Sequence, residues 1–432
     1  MARDQIISGI DVGTSKITTL IASMTEDGEA RVIGVSTIPS KGLRKGQVVD
    51  IEEAAGVISS SVEAAERMAG VSVARAFVSV GGNHIASINS HGVVAVSEPD
   101  KEISLTDVRR VIEAAKAVSL PSSREILHVL PRGYIVDGQE GIIDPIGMSG
   151  VRLEVETHLV TGGATAVRNL RKCVEELGVE VAGMVSNGLA SAASALSETE
   201  KELGVVLVDI GGGTTDVAIF VEGALSYSSV IPIGAINITK DLAAGLRISL
   251  ESAEKVKLQL GQLPKLPALT QEEEKVRSKT DKTDELDLSD LGLPEELKTV
   301  SRKTLIEGII KPRLNEIFTM VSLEIKRSGF GGMTPSGVVL TGGGAETVGI
   351  VEAARRNLAM PVHVGIPKKI TGLIDEIISP AYAVAVGLVL HGSHQAKATG
   401  GSVFSGLGKL GERLPVKGLA GKVIDLVKSF LP

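Results

Sequence analysis

The chain has 432 residues, 43% of them apolar, enough to bury a large core and, by length, to form about two to four domains. A net charge of −7, no Trp and few other aromatics argue against a nucleic-acid partner, which calls for a basic face and stacking side chains. The single cysteine, Cys173, excludes an intramolecular disulfide; no signal peptide is expected ahead of Ile6–Ile10, and the apolar stretch through Ala381–Leu390 is about half of the ~20 residues a spanning helix needs.

In chain order, the first predicted elements are a strand ending at Asp11, a Gly/Thr turn and a second strand over Ile17–Ser23. A third strand is expected around Arg31–Ser36. Glu52–Gly70 has helical spacing, with Ala55, Ile58, Val62 and Ala65 on one face. Val73–Val80 reads as a strand running into Gly81-Gly82. His84 to about Val160 is a segment of its own: a strand over Ser87–Val96, a helix from Leu105 to about Val118 with Thr106 as N-cap, and strands Ile126–Val136 and Val151–Val160. Helix Gly162–Gly178, strand Val179–Val185 and a small-residue helix Leu189–Leu196 follow.

The second half restarts the opening pattern. Gly204–Ile210 is a strand carrying Asp209, Gly211–Asp216 is a turn, and Val217–Ile231 is a hairpin. A strand–Asp–Gly/Thr turn–strand unit therefore occurs twice, and two similar lobes are expected. A helical segment begins at about Ser252. Lys265–Leu297 is rich in charge, Thr and Pro and reads as a mobile insertion. Leu305–Ser328 is a long amphipathic helix that Pro312 should interrupt. Ser336–Leu340 is a buried strand entering a triple-Gly turn. From 393 to 415 the chain is Gly- and Ser-rich and reads as a linker.

Three turns carry the chemistry: Asp11-Val-Gly13-Thr14-Ser15-Lys16, Asp209-Ile-Gly211-Gly212-Gly213-Thr214-Thr215-Asp216, and Thr341-Gly342-Gly343-Gly344-Ala345. Gly and Thr in a tight turn offer exposed amides and hydroxyls that a phosphate can use, and Gly permits close backbone approach. An Asp at the head of each of the first two turns would repel bare phosphate. It suits a Mg²⁺ held through water by Asp11 and Asp209, because that ion keeps most of its hydration shell. Two opposed hairpins would then clamp Mg-ATP. Other patterns carry less. Gly406–Gly411 fits G-x-G-x-x-G without a preceding strand, and His391 and His394 lack metal-ligating partners at suitable spacing.

These turns resemble the two phosphate loops and the adenosine motif of the actin-like ATPases. Asn187–Ala192 and Pro380–Gly387 resemble the family's two small-residue crossing helices. The resemblance implies an α/β, two-lobed fold of duplicated ribonuclease-H-like domains. Within that superfamily, His128–Val160 resembles the inserted subdomain 1C of the FtsA family of bacterial division proteins. Ser40–Leu43 with Gly46, Leu203–Val217 and Ile370–Leu373 also fit. The implied layout is subdomain 1A over 1–83, 161–200 and about 380–392, and 1C over 84–160. Subdomain 2A would cover 201–234 and about 333–379, and 2B 235–332 with the charged insertion at about 265–297.

The same resemblance implies that Glu254 and Lys257, one helical turn apart, contact ribose and adenine; an exposed ion pair is the alternative. It implies a polar water-orienting residue near Asn187, the only catalytic candidate. An amide is a poor base, so at most slow ATP hydrolysis is expected and ATP would act as an assembly switch. The implied partners are other copies of the chain, later division proteins and the C-terminal peptide of FtsZ, whose acidic part would meet Arg302, Lys311 and Arg313.

At the end of the chain, Val416, Leu419, Val423, Ile424, Val427, Phe430 and Leu431 recur at helical spacing, flanked by Lys417, Lys422 and Lys428. Such a helix is ~24 Å long, too short to cross a bilayer but suited to the headgroup region of an anionic membrane. The expected location is thus the cytoplasmic face of the membrane at the division site. A helix docked on the protein's own surface is the alternative. A pilus-assembly scaffold related to PilM, a sugar kinase and a chaperone ATPase are the rival functions within the superfamily.

Overall fold

The computed structural model describes residues 5–25, 29–97, 102–262, 284–295, 298–372 and 375–395. Two sheets have the same layout. In the first, strands run in the order Glu180–Ser186, Arg75–Val80, Ile6–Val12, Lys16–Met24, Ala30–Pro39, with Ile370–Gly372 at the far edge. In the second the order is Val362–Val364, Val338–Thr341, Val205–Ile210, Thr215–Val221, Ala224–Ile231. Each is an antiparallel three-strand meander whose first strand is extended by parallel strands. The central strands are buried on both faces, which is why Val205–Ile210 is apolar at every position but Asp209.

Helix Ile51–Ala69 covers one face of the first sheet. Its Asp50 N-cap accepts from Glu53 N at 3.0 Å, and Gly70 closes it in the left-handed conformation. Ala54, Ile58, Val62 and Ala65 face the core, so the buried stripe begins at Ala54 rather than Ala55. On the second sheet, Ala235–Leu246, Leu250–Gln262 and Lys311–Ser328 enclose a core centred on fully buried Phe318. The inner faces of the two sheets take one small-residue helix each. Asn187–Ala195 packs on the second sheet, and a helix over 383–395 packs on the first. The two helices touch through Ala190, Val384 and Leu388.

A third sheet, ordered Ala86–Ala95, Arg152–Gly163, Arg124–Val136, Gln139–Ile142, is backed by helix Leu105–Lys116. Ser104, not Thr106, caps this helix: it forms a capping box with Asp107, whose carboxylate returns to Ser104 N. The sheet docks on strand Ala224–Ile231 of the second lobe. Ser87 Oγ donates to Ser228 O at 2.6 Å and Asn89 Nδ2 to Ser226 O at 3.1 Å. The Asn89 Oδ1 therefore faces His158 Nδ1, which must donate, leaving Nε2 to accept from Ser228 Oγ at 2.9 Å. Burial, then Arg132, pushes His158 down to about 4, so the neutral ring is the form present at neutral pH. His158→Ala is expected to cost about 1–3 kcal/mol by removing a buried ring that bridges Asn89 Oδ1 and the half-buried Ser228 Oγ. Hydrogen exchange should quicken along Ala86–Ala95 and Ala224–Ile231 but not along Ile51–Ala69; uniform quickening would contradict this.

Three other expectations are corrected. Helices Ala235–Leu246 and Glu198–Leu203 were not anticipated, the first because its apolar residues merge with the preceding strand's run. Part of the supposed mobile insertion is packed: Glu285–Asp287 pairs with Thr299–Ser301, Leu286 and Leu288 are buried, and Glu295 accepts from Ser249 N and Ser252 Oγ at 2.7 Å each. Charged composition concealed two leucines that a short hairpin brings to one face. The expected linker begins late, since the helix over 383–395 continues through buried Ser393. Pro312 does interrupt its helix: Thr304–Ile310 widens into a π-turn in which Lys311 N reaches Ile306 O.

Candidate functional site

The two Asp-headed hairpins face each other across the space between the lobes. Gly13 N donates to Lys16 O at 3.1 Å, and Gly211 N to Thr214 O at 2.9 Å, so both turns close the same way. A Cβ at Gly212 would lie 2.8 Å from Ser15 Oγ, and one at Gly213 would lie 2.8 Å from Thr14 Oγ1. The absent side chains are what let the turns oppose each other so closely. Thr14 Oγ1 accepts from Gly46 N at 2.9 Å. Helix Ala235–Leu246 abuts the second turn, with Ala235 N and Ile236 N bonded to Gly211 O and Gly212 O. The third turn meets the same point: a Cβ at Gly342 would lie 2.2 Å from Asp209 Oδ1, and Gly344 packs on Ile210.

Charge is concentrated here. Asp11, Asp209 and Asp216 are all buried. Burial pushes Asp209 up to about 7, with Asp11 adding repulsion and the Ser191 hydroxyl partly offsetting it. Asp216 is raised well above the usual carboxylate range by burial and then by Asp209 and Asp11. Asp11 is raised by burial and held back by Ser79, whose hydroxyl donates to it at 2.8 Å, and by Lys16. Lys16 is lowered by burial and supported by Asp11, Glu346 and Asp209; its ammonium sits 3.9 Å over the Tyr382 ring. Asp209 Oδ2 and Asn187 Oδ1 are buried without a hydrogen-bond partner. Orphaned oxygens among clustered carboxylates suit a hydrated cation. Among the described residues, no group of three His, Cys, Asp or Glu side chains could hold a metal alone, so phosphate and water would have to complete its shell.

The other expected residues fall in different places. Thr215 turns away from the cleft: its hydroxyl donates to Ile233 O at 2.8 Å and holds the hairpin. Glu254 and Lys257 are 2.7 Å apart, and both bond the hydroxyl of Thr239 on the helix that abuts the second turn. Helix Leu250–Gln262, which carries Glu254 and Lys257, brings Gly261 against Glu346, so this triad lies along the cleft's rim. Arg313 makes two bonds to Asp241, at 2.6 and 2.8 Å, tying helix Lys311–Ser328 to Ala235–Leu246, while Lys311 pairs with Glu307. Arg302 is half-buried after strand Thr299–Ser301. All the membrane candidates from Val416 to Leu431 lie outside the described residues. Sequence reasoning missed Ser79, Gly81, Ser191, Thr239, Glu346 and Tyr382. A Cβ at Gly81 would strike Asn187 Nδ2 at 2.4 Å, and only the Gly81-Gly82 pair hinted at such an approach.

Duplicated lobes clamped around opposed Gly/Thr turns, with small-residue helices crossing between them, define an actin-like fold. Its solved relatives include the PilM–PilN type IV pilus biogenesis complex, with TM-score 0.61 and 15% identity over 90% of this chain and 98% of that one. Another is MreB5 of Spiroplasma citri bound to AMPPNP, with TM-score 0.53 and 15% identity over 92% and 99%. Sequence similarity is more specific. A family model described as the SHS2 domain inserted in FtsA matches residues 82–161, and one for cell division protein FtsA matches 206–387. The chain is 44% identical to cell division protein FtsA of Pseudomonas aeruginosa over 389 residues, covering 90% of this chain and 89% of that protein. It is 40% identical to the Bacillus subtilis protein, covering 93% and 86%. The chain belongs to the FtsA family of cell-division proteins, and its third sheet is the family's SHS2 insertion.

Proposed function

We propose that this chain is a nucleotide-gated assembly protein that links FtsZ filaments to the cell membrane at the division site. The observation that carries the reading is the pair of opposed Gly/Thr turns with buried, partly orphaned carboxylates behind them. Gly13–Lys16 and Gly211–Thr214 would hold the phosphates of ATP, and Asp11 and Asp209 would hold Mg²⁺ through water. Gly342–Gly344 would take the adenosine, with Glu254 and Lys257 at its ribose and adenine edges. Mg²⁺ bound there would offset the negative charge of Asp11, Asp209 and the phosphates alike, and a nucleotide held by both turns would tie the lobes together.

Asn187 can orient a water but is a poor base, which favours a switch over turnover. The MreB5 relative bound to AMPPNP supports a nucleotide in this fold. Copies would associate through the inserted sheet, which would also receive later division proteins. Arg302, Lys311 and Arg313 remain candidates for the FtsZ peptide, although Arg313 would have to exchange Asp241 for it. Val416–Leu431 would lie in the headgroup region; no described helix is long and apolar enough to cross a membrane.

Co-sedimentation with anionic liposomes, Mg-ATP and FtsZ tests this reading, for the full chain and for one cut after Gln395. The full chain should carry FtsZ into the pellet and the cut chain should not. Equal pelleting by both would refute the anchor, and pelleting of the full chain without FtsZ would refute the tether.

A further inference from the structure

The inserted sheet and the second lobe enclose a groove of about 440 Å³ that the proposed activity does not use. Glu140, Glu156, Glu202 and Glu222 line it, over an apolar floor of buried Tyr134, Ile142 and Val221. Among the described residues that line it the one cation, Arg132, is tied to Glu156 at 3.3 Å and to Ser226 Oγ at 3.1 Å. Ile143 is 92% exposed, beside the sheet's edge strand Gln139–Ile142. An anionic rim around apolar surface fits a cationic amphipathic segment, with lysines over the glutamates and one or two apolar side chains in the groove.

The chain contains such a segment within reach. Val416–Leu431 pairs an apolar stripe with Lys417, Lys422 and Lys428, and an apolar face of that kind needs cover when no membrane is present. The helix over 383–395 delivers the chain to the right place. Gln395 bonds His391, whose ring lies 6.3 Å from that of His128 on strand Arg124–Val136. The groove begins at Arg132 on the same strand, ~13 Å further on at ~3.3 Å per residue. A flexible chain of twenty residues, the number from 396 to 415, would have an r.m.s. span of ~25 Å, which matches that short path and would give a local concentration in the millimolar range.

We propose that, away from lipid, residues 416–431 dock in this groove, so that membrane and groove compete for one amphipathic face. The inference rests on the membrane-anchor reading above. Membrane engagement then uncovers the groove-bearing face of the inserted sheet, coupling surface attachment to its availability.

Hydrogen exchange on the full chain and on one cut after Gln395, both without lipid, tests the docking. Amides of 139–143 and 221–224 should exchange roughly fivefold more slowly in the full chain, and anionic vesicles should erase the difference. The doubly substituted Glu140→Lys, Glu222→Lys chain, changed only at exposed positions, should lose that protection and bind about threefold more vesicles at limiting lipid. Identical exchange in the full and cut chains overturns the docking even if vesicle binding depends on the tail. Protection that grows with protein concentration also overturns it, in favour of a second copy as occupant. Failure of the full chain to bind vesicles at all would instead remove the anchor reading.

Discussion

Asp209→Asn is expected to make the nucleotide-free protein more stable at pH 8 while abolishing its stabilisation by Mg-ATP. Burial raises the Asp209 carboxyl from 3.8 to about 7, so the folded state holds this proton more tightly than the unfolded chain does. The associated stability is fully present below the unfolded value. It is lost as pH climbs from about 4 and is gone once pH exceeds about 7, a swing of about 4 kcal/mol. An amide at this position has no charge to desolvate and cannot repel Asp11 or Asp216. The thermal midpoint at pH 8 should therefore rise by about 5 °C or more, and the difference from wild type should vanish near pH 4. The same change removes a charge that would hold the cation, so added Mg-ATP should no longer shift the midpoint. A lower midpoint at pH 8, or a retained Mg-ATP shift, would show that this carboxylate is neither strained nor used.

Alanine at Gly387 should disrupt the fold, whereas alanine at Gly56 should strengthen it. Gly387 lies where the two crossing helices meet, and a Cβ there would stand 1.8 Å from the Ala190 carbonyl oxygen. Backbone cannot give way as a side-chain tip can, so the helices must separate, at a cost of about 3 kcal/mol or more. Because one helix packs on each lobe, the damage should reach both lobes. We expect Gly387→Ala to lower the thermal midpoint by about 6 °C or more and to weaken nucleotide binding with it. Gly56 sits in helix Ile51–Ala69 with nothing within 4 Å of its would-be Cβ. There the substitution only removes backbone entropy from the unfolded chain, a gain of up to about 1 kcal/mol. Equal effects at the two sites would show that the helix crossing is looser than described.

The two lobes were legible because their signals are local. Strand Val205–Ile210 is apolar but for Asp209, and Gly211–Gly213 is a turn in any context. Helix Ala235–Leu246 was hidden because Ile231 and Ile233 continue the apolar pattern into it, and only the bonds from Ala235 and Ile236 to the second turn mark its start. The charged insertion misled for the opposite reason. Leu286 and Leu288 acquire a core only when Glu285–Asp287 pairs with a strand beyond the region's end. Glu254 and Lys257 were visible as an i, i+3 pair, but nothing nearby in sequence indicated Thr239 as the group both would bond.

By itself, the sequence determined the chemistry on offer: two Asp-headed Gly/Thr turns, a triple-Gly turn and a basic amphipathic end. Those features follow from residue type and spacing, which need no partner. Only the tertiary structure decided that Asp11, Asp209 and Asp216 share one buried cluster, that Thr215 faces away from the cleft, and that Arg313 is tied to Asp241. Desolvation and pairing depend on what packs opposite a side chain, and here the opposing groups come from another lobe, another strand or another helix.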